Sequence, residues 1–309
     1  MVRPVIGVIL NPNAAGARSP TLATRLRTLV QGIGQVIETR QPGELGTAVE
    51  RFHGAGCDVI ATCGGDGTNQ LTISEVVRRY GKEHMPRFAF LRGGTINTTA
   101  KNLGILGAPA DILERIVARL KNGHPPIEIG QDLIEVNDQY GFLLAAGMGA
   151  RFIERYYDGP GPGMTWASIL ALRTLGSSLI QGRFARSLFT SVPCTLVADG
   201  ERLPLEEVRL LLASVIPDVG IGMKVTWQAN LQPNRFHLIA SSIPTTGMAL
   251  QIHRVVQGQP LAGKPHVDRL VRELDVEFPT PETYVLDGEL FRTRHLRIRV
   301  GPRLWILKP

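Results

Sequence analysis

The chain has 309 residues, of which 43% are hydrophobic and 20% charged, so it can bury a substantial core and is not disordered throughout. Its net charge of +7, from 34 basic and 27 acidic residues, favours anionic partners such as nucleotides, phosphates, acidic lipids or nucleic acid. A solvated surface with a mild basic bias explains the same charge equally well.

Cysteine usage and the apolar runs exclude several classes of protein. The three cysteines, Cys57, Cys63 and Cys194, include no Cys-x-x-Cys pair, so neither a disulfide framework nor a zinc site is predicted, and a reducing compartment fits. The apolar stretch near the N-terminus is too short for a signal peptide. No run of about 18 uncharged apolar residues occurs, so we expect no transmembrane helix.

The first 125 residues alternate between short apolar runs and amphipathic segments. The apolar runs predict strands at residues 5–10, 35–40, 57–63 and 87–91. The amphipathic segments predict a helix that begins at Ser19-Pro20 and further helices at 43–56, 72–81 and 110–123. Strands joined by single helices favour right-handed βαβ units and a parallel sheet.

Polar, glycine-rich loops follow three of these strands, at residues 11–16, 64–69 and 93–97. Ligands of open α/β sheets bind beyond the carboxyl ends of the strands, so three such loops at one edge predict a shared site. The middle loop reads GGDGT (64–68), and its backbone N–H groups and the following helix N-terminus favour an anion. Thr68 offers a hydroxyl to a phosphate, whereas Asp66 fits there only if it binds a cation or orients the loop. A tight turn without a ligand is the alternative.

The loops match neither of two common nucleotide motifs. The chain has no Gly-Lys-Ser/Thr of a P-loop and no Gly-x-Gly-x-x-Gly of a dinucleotide-binding fold. Hydride transfer therefore loses support.

From about residue 130 the pattern changes to short alternating runs, which predict mostly antiparallel β-structure. Asp199-Gly200 and Asp287-Gly288 predict hairpin turns. Residues 151–190 interrupt the strands with a largely helical insertion, whose apolar helix from Trp166 to Ile180 is flanked by arginines. Such a helix either lies on an anionic membrane surface or packs against the β-structure.

Four segments in this order resemble the diacylglycerol kinase catalytic domain family, which includes bacterial lipid kinases and sphingosine kinases and is distantly related to NAD kinases. They are NPNAAG (11–16), GGDGT (64–68), GGTINTTAKNLGI (93–105) and LDGEL (286–290). The resemblance implies a Rossmann-like parallel α/β domain followed by a mostly antiparallel β-sandwich domain with a helical insertion. The implied nucleotide-binding domain is 1–127 with a C-terminal return at 294–309, and the implied lipid-binding domain is 128–293.

The activity that the resemblance implies is transfer of the γ-phosphate of ATP, with Mg²⁺ bound to the nucleotide, to a hydroxyl of a lipid such as diacylglycerol. Asp287 and Glu289 match the acidic pair that would activate this hydroxyl. The residues that would bind the nucleotide are Asn11, Pro12, Asn13, Ala14, Ala15, Thr39, Gly64, Gly65, Asp66, Gly67, Thr68, Asn69, Gln70, Gly94, Thr95 and Asn97.

The sequence departs from the family at several positions. Gln70 and Leu71 follow Asn69, so the family's glutamate is missing unless Glu75 replaces it. Thr98 stands where the family has an acidic residue, and Leu144 stands where it has an asparagine. A later acidic element that holds a structural Mg²⁺ in some bacterial members is absent, so no structural metal is predicted.

These departures leave two alternatives to an ATP-dependent lipid kinase: a non-catalytic nucleotide- or lipid-binding relative, and a kinase of a soluble acceptor of the NAD kinase type. The expected partners are a nucleoside triphosphate, a lipid acceptor and an anionic membrane surface touched peripherally from the cytoplasm. Nucleic acid is not expected because no recognition motif accompanies the charge. A homodimer is left open.

Overall fold

The computed structural model describes residues 5–161 and 163–309. These residues form two compact units. The first unit contains the described residues up to Gln131 together with Pro302–Pro309, and the second is Asp132–Gly301. The domain limits at 127 and 294 drawn from the sequence stay a prediction.

The first unit is built on a parallel sheet with the strand order β2-β1-β3-β4. Its strands are β1 (Ile6–Leu10), β2 (Gly34–Glu38), β3 (Val59–Cys63) and β4 (Arg87–Phe90). β1 and β3 are buried along their whole length, which explains why their sequences are continuous apolar runs rather than alternating ones. Near the C-terminus of the chain, Ile306 pairs in parallel with Phe88 of β4 and extends this sheet.

Helices connect these strands, as the alternating pattern predicts. They are α1 (Pro20–Val30), α2 (Glu44–Gly54), α3 (Asp66–Tyr80), α4 (Thr98–Asn102) and α5 (Pro109–Lys121). Ser19 is extended and Pro20 occupies the first turn of α1, which confirms the helix start read from the sequence. Helix α3 begins earlier than expected, because Asp66 to Gln70 form its first turns rather than a loop.

The early start of α3 has a local cause. Gly65, the residue just before α3, has an extended backbone. Asp66 follows it in the first turn of the helix, where a negative charge is favourable. Thr68, Asn69 and Gln70 are buried. Polarity alone suggested a loop here, but these polar side chains face partners inside the protein.

The second unit is mostly antiparallel β-structure. Its strands are β5 (Ile127–Val136), β6 (Gln139–Gly141), β7 (Leu143–Gly147), β8 (Val192–Pro193), β9 (Thr195–Ala198), β10 (Glu201–Arg202), β11 (Glu207–Val208), β12 (Leu210–Ser214), β13 (Phe236–Ser241), β14 (His266–Val271), β15 (Glu273–Leu286) and β16 (Glu289–Lys308). The main antiparallel order is β14-β13-β12-β7-β15-β16, and β9 pairs with β15. β5 begins in the first unit and β16 ends there, so the chain passes between the units along these strands.

Both predicted hairpin turns are present. At Asp199-Gly200 and at Asp287-Gly288 both residues have positive φ, the backbone that a two-residue type I′ turn requires. The first turn joins β9 to β10, and the second joins β15 to β16. The Asp-Gly dipeptide therefore identified both turns, and the structure adds their type.

The insertion is helical, as expected. It contains α6 (Met148–Tyr157), α7 (Met164–Leu179) and α8 (Arg183–Leu188), and α9 (Thr245–Ala249) and α10 (Ile252–Gln257) follow later in the unit. Ala185 and Leu188 of α8 pack into an apolar core with Leu212 and Ile239 of the sheet. In the part of the chain that the structure describes, no helix is both long and apolar enough to cross a membrane. Parallel α/β structure followed by antiparallel β-structure with a helical insertion confirms the predicted fold class.

Candidate active site

Three loops of the first unit lie beyond the carboxyl ends of neighbouring strands. We call residues 11–16 the first loop, residues 64–69, which include the first turn of α3, the second loop, and residues 93–97 the third loop; they follow β1, β3 and β4. Thr39, which is buried, follows β2 at the same edge, and its N–H donates to the carbonyl of Leu10. The sheet topology therefore gathers the predicted nucleotide residues of the first unit at one edge.

Hydrogen bonds tie the three loops together. The Asn11 side chain donates to the Thr68 hydroxyl over 3.0 Å, which joins the first loop to the second. The N–H of Gly16 donates to the carbonyl of Gly93 over 2.9 Å, which joins the first loop to the third. The sequence had predicted one shared edge, and the structure shows direct contacts between the loops.

The second and third loops approach each other at backbone distance. A Cβ placed on Gly94 would lie 2.3 Å from the Cα of Gly65, and one placed on Gly93 would lie 2.8 Å from the N atom of Gly64. A side chain on Gly93 or Gly94 would therefore force the loops apart. At Gly65, in contrast, an added Cβ would meet only the Cα of Gly94, at an ordinary 3.5 Å.

Asp66 connects the second loop to the helix that follows the third. Its two carboxylate oxygens accept hydrogen bonds from consecutive N–H groups, those of Thr98 at 2.8 Å and Thr99 at 2.9 Å. Burial raises the pKa of Asp66, and the bonds from the two N–H groups and the charge of Lys101 oppose that rise. Of the two roles considered for Asp66, cation binding and loop orientation, these contacts support orientation.

Other predicted nucleotide residues support the loops from within. The Asn69 side chain accepts a hydrogen bond from the Thr62 hydroxyl at 2.6 Å, and the Gln70 side chain donates to Ser74 at 3.0 Å. Asn97, in the left-handed conformation, accepts from the N–H of Gly94 and donates to its carbonyl. These amides brace the loops.

The remaining predicted residues offer backbone or partly exposed groups. The residues with intermediate exposure are Pro12, Ala14, Gly67 and Thr95, and Asn13 and Ala15 are exposed. The Asn13 side chain donates to the carbonyl of Arg40 at 2.8 Å, which fastens the first loop to the end of β2. The sequence did not predict the contributions of Thr62, which donates to Asn69, and of Lys101, whose charge acts on Asp66. The position of Thr62 near the end of β3 is a signal that could have indicated it.

This arrangement can bind an anion. Helix α3 has 15 residues, and its first N–H groups have no acceptor within the helix, so its N-terminus carries a partial positive charge. Gly65 lies at the same helix end and has no side chain, so a ligand can come close to its backbone. Donors of this kind bind phosphate or carboxylate groups rather than apolar ligands.

Asp287 in the second unit is held in the same way as Asp66 in the first. Its carboxylate oxygens accept from the N–H groups of Phe142 at 2.8 Å and Leu143 at 2.9 Å, and its own N–H donates to the carbonyl of Leu143. Asp287 is 7% exposed. These bonds fix the β15–β16 turn against the start of β7.

Glu289 differs from Asp287. Its side chain is half-buried, burial raises its pKa, and among the described residues no hydrogen bond or ion pair to its carboxylate is found. A carboxylate with a raised pKa and unused oxygens is suited to accept a proton. Nearby, the Tyr157 hydroxyl donates to the carbonyl of Gly288 at 2.8 Å, a contact between the insertion and the turn that the sequence did not predict.

Metal ligands are a separate question. Across residues 5–161 and 163–309, no group of three His, Cys, Asp or Glu side chains is arranged to hold a metal ion. The expectation that the chain has no structural metal stays a prediction. Glu75 forms an ion pair with Arg78 and lies nine residues after Asp66, about 13 Å along the helix, so it is remote from the N-terminus of α3.

Known proteins resemble this chain in sequence and in fold. Residues 5–130 match the diacylglycerol kinase catalytic domain family. A comparison with curated proteins gave no significant match. Several solved structures share the fold over nearly the whole chain.

Two of these structures come from Bacillus anthracis str. Sterne. One is described as a diacylglycerol kinase; it is 16% identical, has a TM-score of 0.71, and the alignment covers 99% of this chain and 97% of that one. A second, described as a candidate diacylglycerol kinase, is 15% identical with a TM-score of 0.71 over 99% of this chain and 96% of that one. At this identity the likeness concerns the fold. Residues 5–130 are therefore similar in sequence to the diacylglycerol kinase catalytic domain family, and the chain as a whole is similar in fold to these two structures.

Proposed function

We propose that this protein is an ATP-dependent lipid kinase that transfers the γ-phosphate to a hydroxyl of a membrane lipid such as diacylglycerol. The observation that carries the proposal is the contact of the three loops at the N-terminus of α3. The family match over residues 5–130 supports a kinase and therefore a nucleotide. Of the structures from Bacillus anthracis, one is described as a diacylglycerol kinase and one as a candidate diacylglycerol kinase, which supports a lipid acceptor.

In this proposal the second loop binds the triphosphate through its backbone. The N–H groups at Gly65 and the first turn of α3 donate to phosphate oxygens. Thr95 of the third loop adds a hydroxyl, and Thr68, which Asn11 orients, adds another. Thr39 and the first loop contact the rest of the nucleotide. Asp66, Asn69, Gln70 and Asn97 act indirectly, because their side chains hold the loops in place.

Mg²⁺ would be held mainly by the phosphates. The Asp66 carboxylate already accepts two N–H groups, so it offers a metal less than a free carboxylate would. Mg²⁺ commonly keeps several waters and binds through phosphates with one or two carboxylates. When bound, it would neutralise the charge that develops on the transferred group.

Glu289 is proposed as the proton acceptor. The lipid hydroxyl oxygen bonds to the γ-phosphorus as the bond from that phosphorus to the β–γ bridging oxygen breaks, and ADP leaves. The hydroxyl proton passes to the Glu289 carboxylate. Burial raises the pKa of Glu289 towards the value at which a carboxylate accepts and then releases a proton readily. Asp287 is a positioning residue that fixes the turn carrying Glu289.

A lipid acceptor requires contact with a membrane. The net charge of +7 supports a peripheral contact with an anionic surface on the cytoplasmic side. A homodimer is compatible with this arrangement and is not required by it.

The test is transfer of labelled phosphate. The purified protein is incubated with γ-labelled ATP, Mg²⁺ and a total lipid extract, and the products are separated and identified. We expect a labelled lipid. Tight ATP binding without any labelled product would favour a non-catalytic nucleotide-binding relative, and label on a water-soluble product would favour a soluble acceptor.

A further inference from the structure

Helix α7 buries one side and leaves several large apolar residues exposed on the other. Ala167, Leu170 and Ser178 are its buried residues. The opposite side carries Ile169, Leu172 and Leu179, which are 49%, 69% and 50% exposed, and Ile180, just after the helix, is 80% exposed. We call Ile169, Leu172, Leu179 and Ile180 the outer face of α7.

The spacing of these residues makes one continuous surface. Positions 169, 172, 179 and 180 are separated by steps of three, seven and one, so they lie on one side of a helix. Thr165, Ser168 and Gly176 on the same side are uncharged. Single exposed apolar side chains are common on proteins, but a contiguous apolar face marks an interaction surface.

The chain segment that carries this face has charges of one sign. No acidic residue occurs between Asp158 and Asp199. Arg173 lies at the edge of the outer face, with its guanidinium 4.2 Å from the ring of Phe184. Arg183 and Arg186 are exposed on α8, which packs against α7, and their spacing puts them on one side of that helix.

We propose that the outer face of α7, with Arg173, Arg183 and Arg186 around it, docks onto an anionic lipid bilayer. The inference deepens the proposed lipid kinase function, and rests on it for the reason why a bilayer is the partner. The apolar side chains enter the boundary between headgroups and acyl chains, and the arginines lie at the level of the lipid phosphates. A helix of this kind lies in the plane of the interface and does not span the membrane.

The charges favour a bilayer over a second copy of the chain. In a two-fold dimer the same patch meets itself, so the arginines around one outer face would approach those around the other. No acidic residue within 159–198 could offset that repulsion. An anionic bilayer offers an apolar interior and negative headgroups, which complement both features of the surface.

Flotation with vesicles tests the proposal on the full chain. The parent protein is mixed with phosphatidylcholine vesicles or with vesicles containing phosphatidylglycerol, at low and at high salt. We expect flotation with the anionic vesicles that weakens as salt rises, because the Debye length falls from about 10 Å at 0.1 M to about 3 Å at 1 M.

Matched variants locate the surface. Leu172→Ser is compared with Leu106→Ser in the first unit, because these leucines are 69% and 65% exposed. We expect Leu172→Ser to lower the partition onto anionic vesicles about tenfold, the double variant Leu172→Ser/Ile180→Ser to lower it further, and Leu106→Ser to leave it unchanged. The charge variant Arg183→Gln/Arg186→Gln should weaken anionic binding by about tenfold or more, while Arg115→Gln, in α5, should not.

Each outcome bears on one claim. Equal flotation of Leu172→Ser and Leu106→Ser would overturn the assignment of this surface, whether or not the protein transfers phosphate, because flotation needs no turnover. A parent that does not float but loses its oligomeric state in Leu172→Ser would show that a second copy covers the face, and would also overturn it. Normal flotation without phosphate transfer to any lipid would contradict the proposed function and leave the docking surface supported.

Discussion

Asp66 in the first unit and Asp287 in the second make the same kind of hydrogen bonds, but they stabilise different parts of the structure. Each carboxylate accepts two consecutive backbone N–H groups at 2.8 and 2.9 Å, those of Thr98 and Thr99 in one case and those of Phe142 and Leu143 in the other. Asp66 thereby joins two glycine-rich loops, whereas Asp287 fixes a hairpin turn.

The two regions differ in the chemical groups that lie next to each aspartate. Beside Asp66 lie the backbone N–H groups at Gly65 and the start of α3, which suit an anion. Beyond Asp287 lies Glu289, a half-buried carboxylate with a raised pKa. In the proposed function, the aspartate of each motif positions its neighbours, and those neighbours bind the nucleotide or take part in the chemistry.

The largest expected effect is the loss of turnover when Glu289 is replaced. Glu289→Gln should lower turnover by about 10²–10⁴-fold, because general-base assistance is lost, and should leave ATP affinity unchanged. Turnover at saturating ATP and ATP affinity by calorimetry are the measurements. Glu277→Gln, an exposed position on β15, is the matched control and should behave as the parent. Parent-like turnover in Glu289→Gln would remove this residue from the chemistry.

The next effect concerns the backbone donors of the first unit. Gly65→Asp should weaken ATP binding by about a hundredfold or more, since two charge-assisted hydrogen bonds of about 1.5–3 kcal/mol each would be lost. The fold should persist, because Gly65 has φ −92° and an added Cβ has room. Gly65→Ala adds the Cβ without charge and is the control; its ATP affinity should fall much less. Undiminished ATP affinity in a folded Gly65→Asp protein would exclude the second loop from the nucleotide site.

A smaller effect is expected when either aspartate is replaced. Asp66→Asn and Asp287→Asn each leave one buried N–H group poorly paired, which should cost about 1–3 kcal/mol of the free energy of unfolding. Denaturant unfolding is the measurement. Asp66→Asn should also weaken ATP binding. Asp287→Asn should leave ATP affinity unchanged and lower turnover, although less than Glu289→Gln does. If neither variant changed the free energy of unfolding, the bonds from the four N–H groups would not stabilise the loops as described.

The smallest effect is a shift in the pH dependence of turnover. A base acts in its ionised form, so turnover should fall as pH decreases through the raised pKa of Glu289. The acid limb should therefore lie above the ordinary glutamate value of about 4.3. It should disappear in Glu289→Gln and persist in Glu277→Gln. An unchanged limb in Glu289→Gln would assign it to another group.

Much of the fold was predictable because its signals are local. Buried parallel strands read as apolar runs, Ser19-Pro20 predicted the start of α1, and Asp-Gly predicted both hairpin turns with positive φ. The start of α3 was missed because Thr68, Asn69 and Gln70 are polar, and their burial depends on tertiary contacts such as that of Thr68 with Asn11, 57 residues earlier.

The candidate site was predictable in its location but not in its division of roles. The positions of the loops after parallel strands indicated a shared edge. Spacing could not separate Asp287 from Glu289, because the contacts that distinguish them come from Phe142 and Leu143, more than a hundred residues earlier in the chain. The exposed outer face of α7 also depends on tertiary packing, since the sequence alone was compatible with burial of that helix.

The central claim is that Asp287 acts through Glu289, and a double-variant cycle tests it most directly. Phosphate transfer from labelled ATP to the accepted lipid is measured for Asp287→Asn, Glu289→Gln and the double variant at saturating ATP. If Asp287 only positions the turn, its replacement should have little further effect once Glu289 is gone, so the double variant should be no slower than Glu289→Gln. Losses that multiply in the double variant would contradict the account, because Asp287 would then contribute to the chemistry independently.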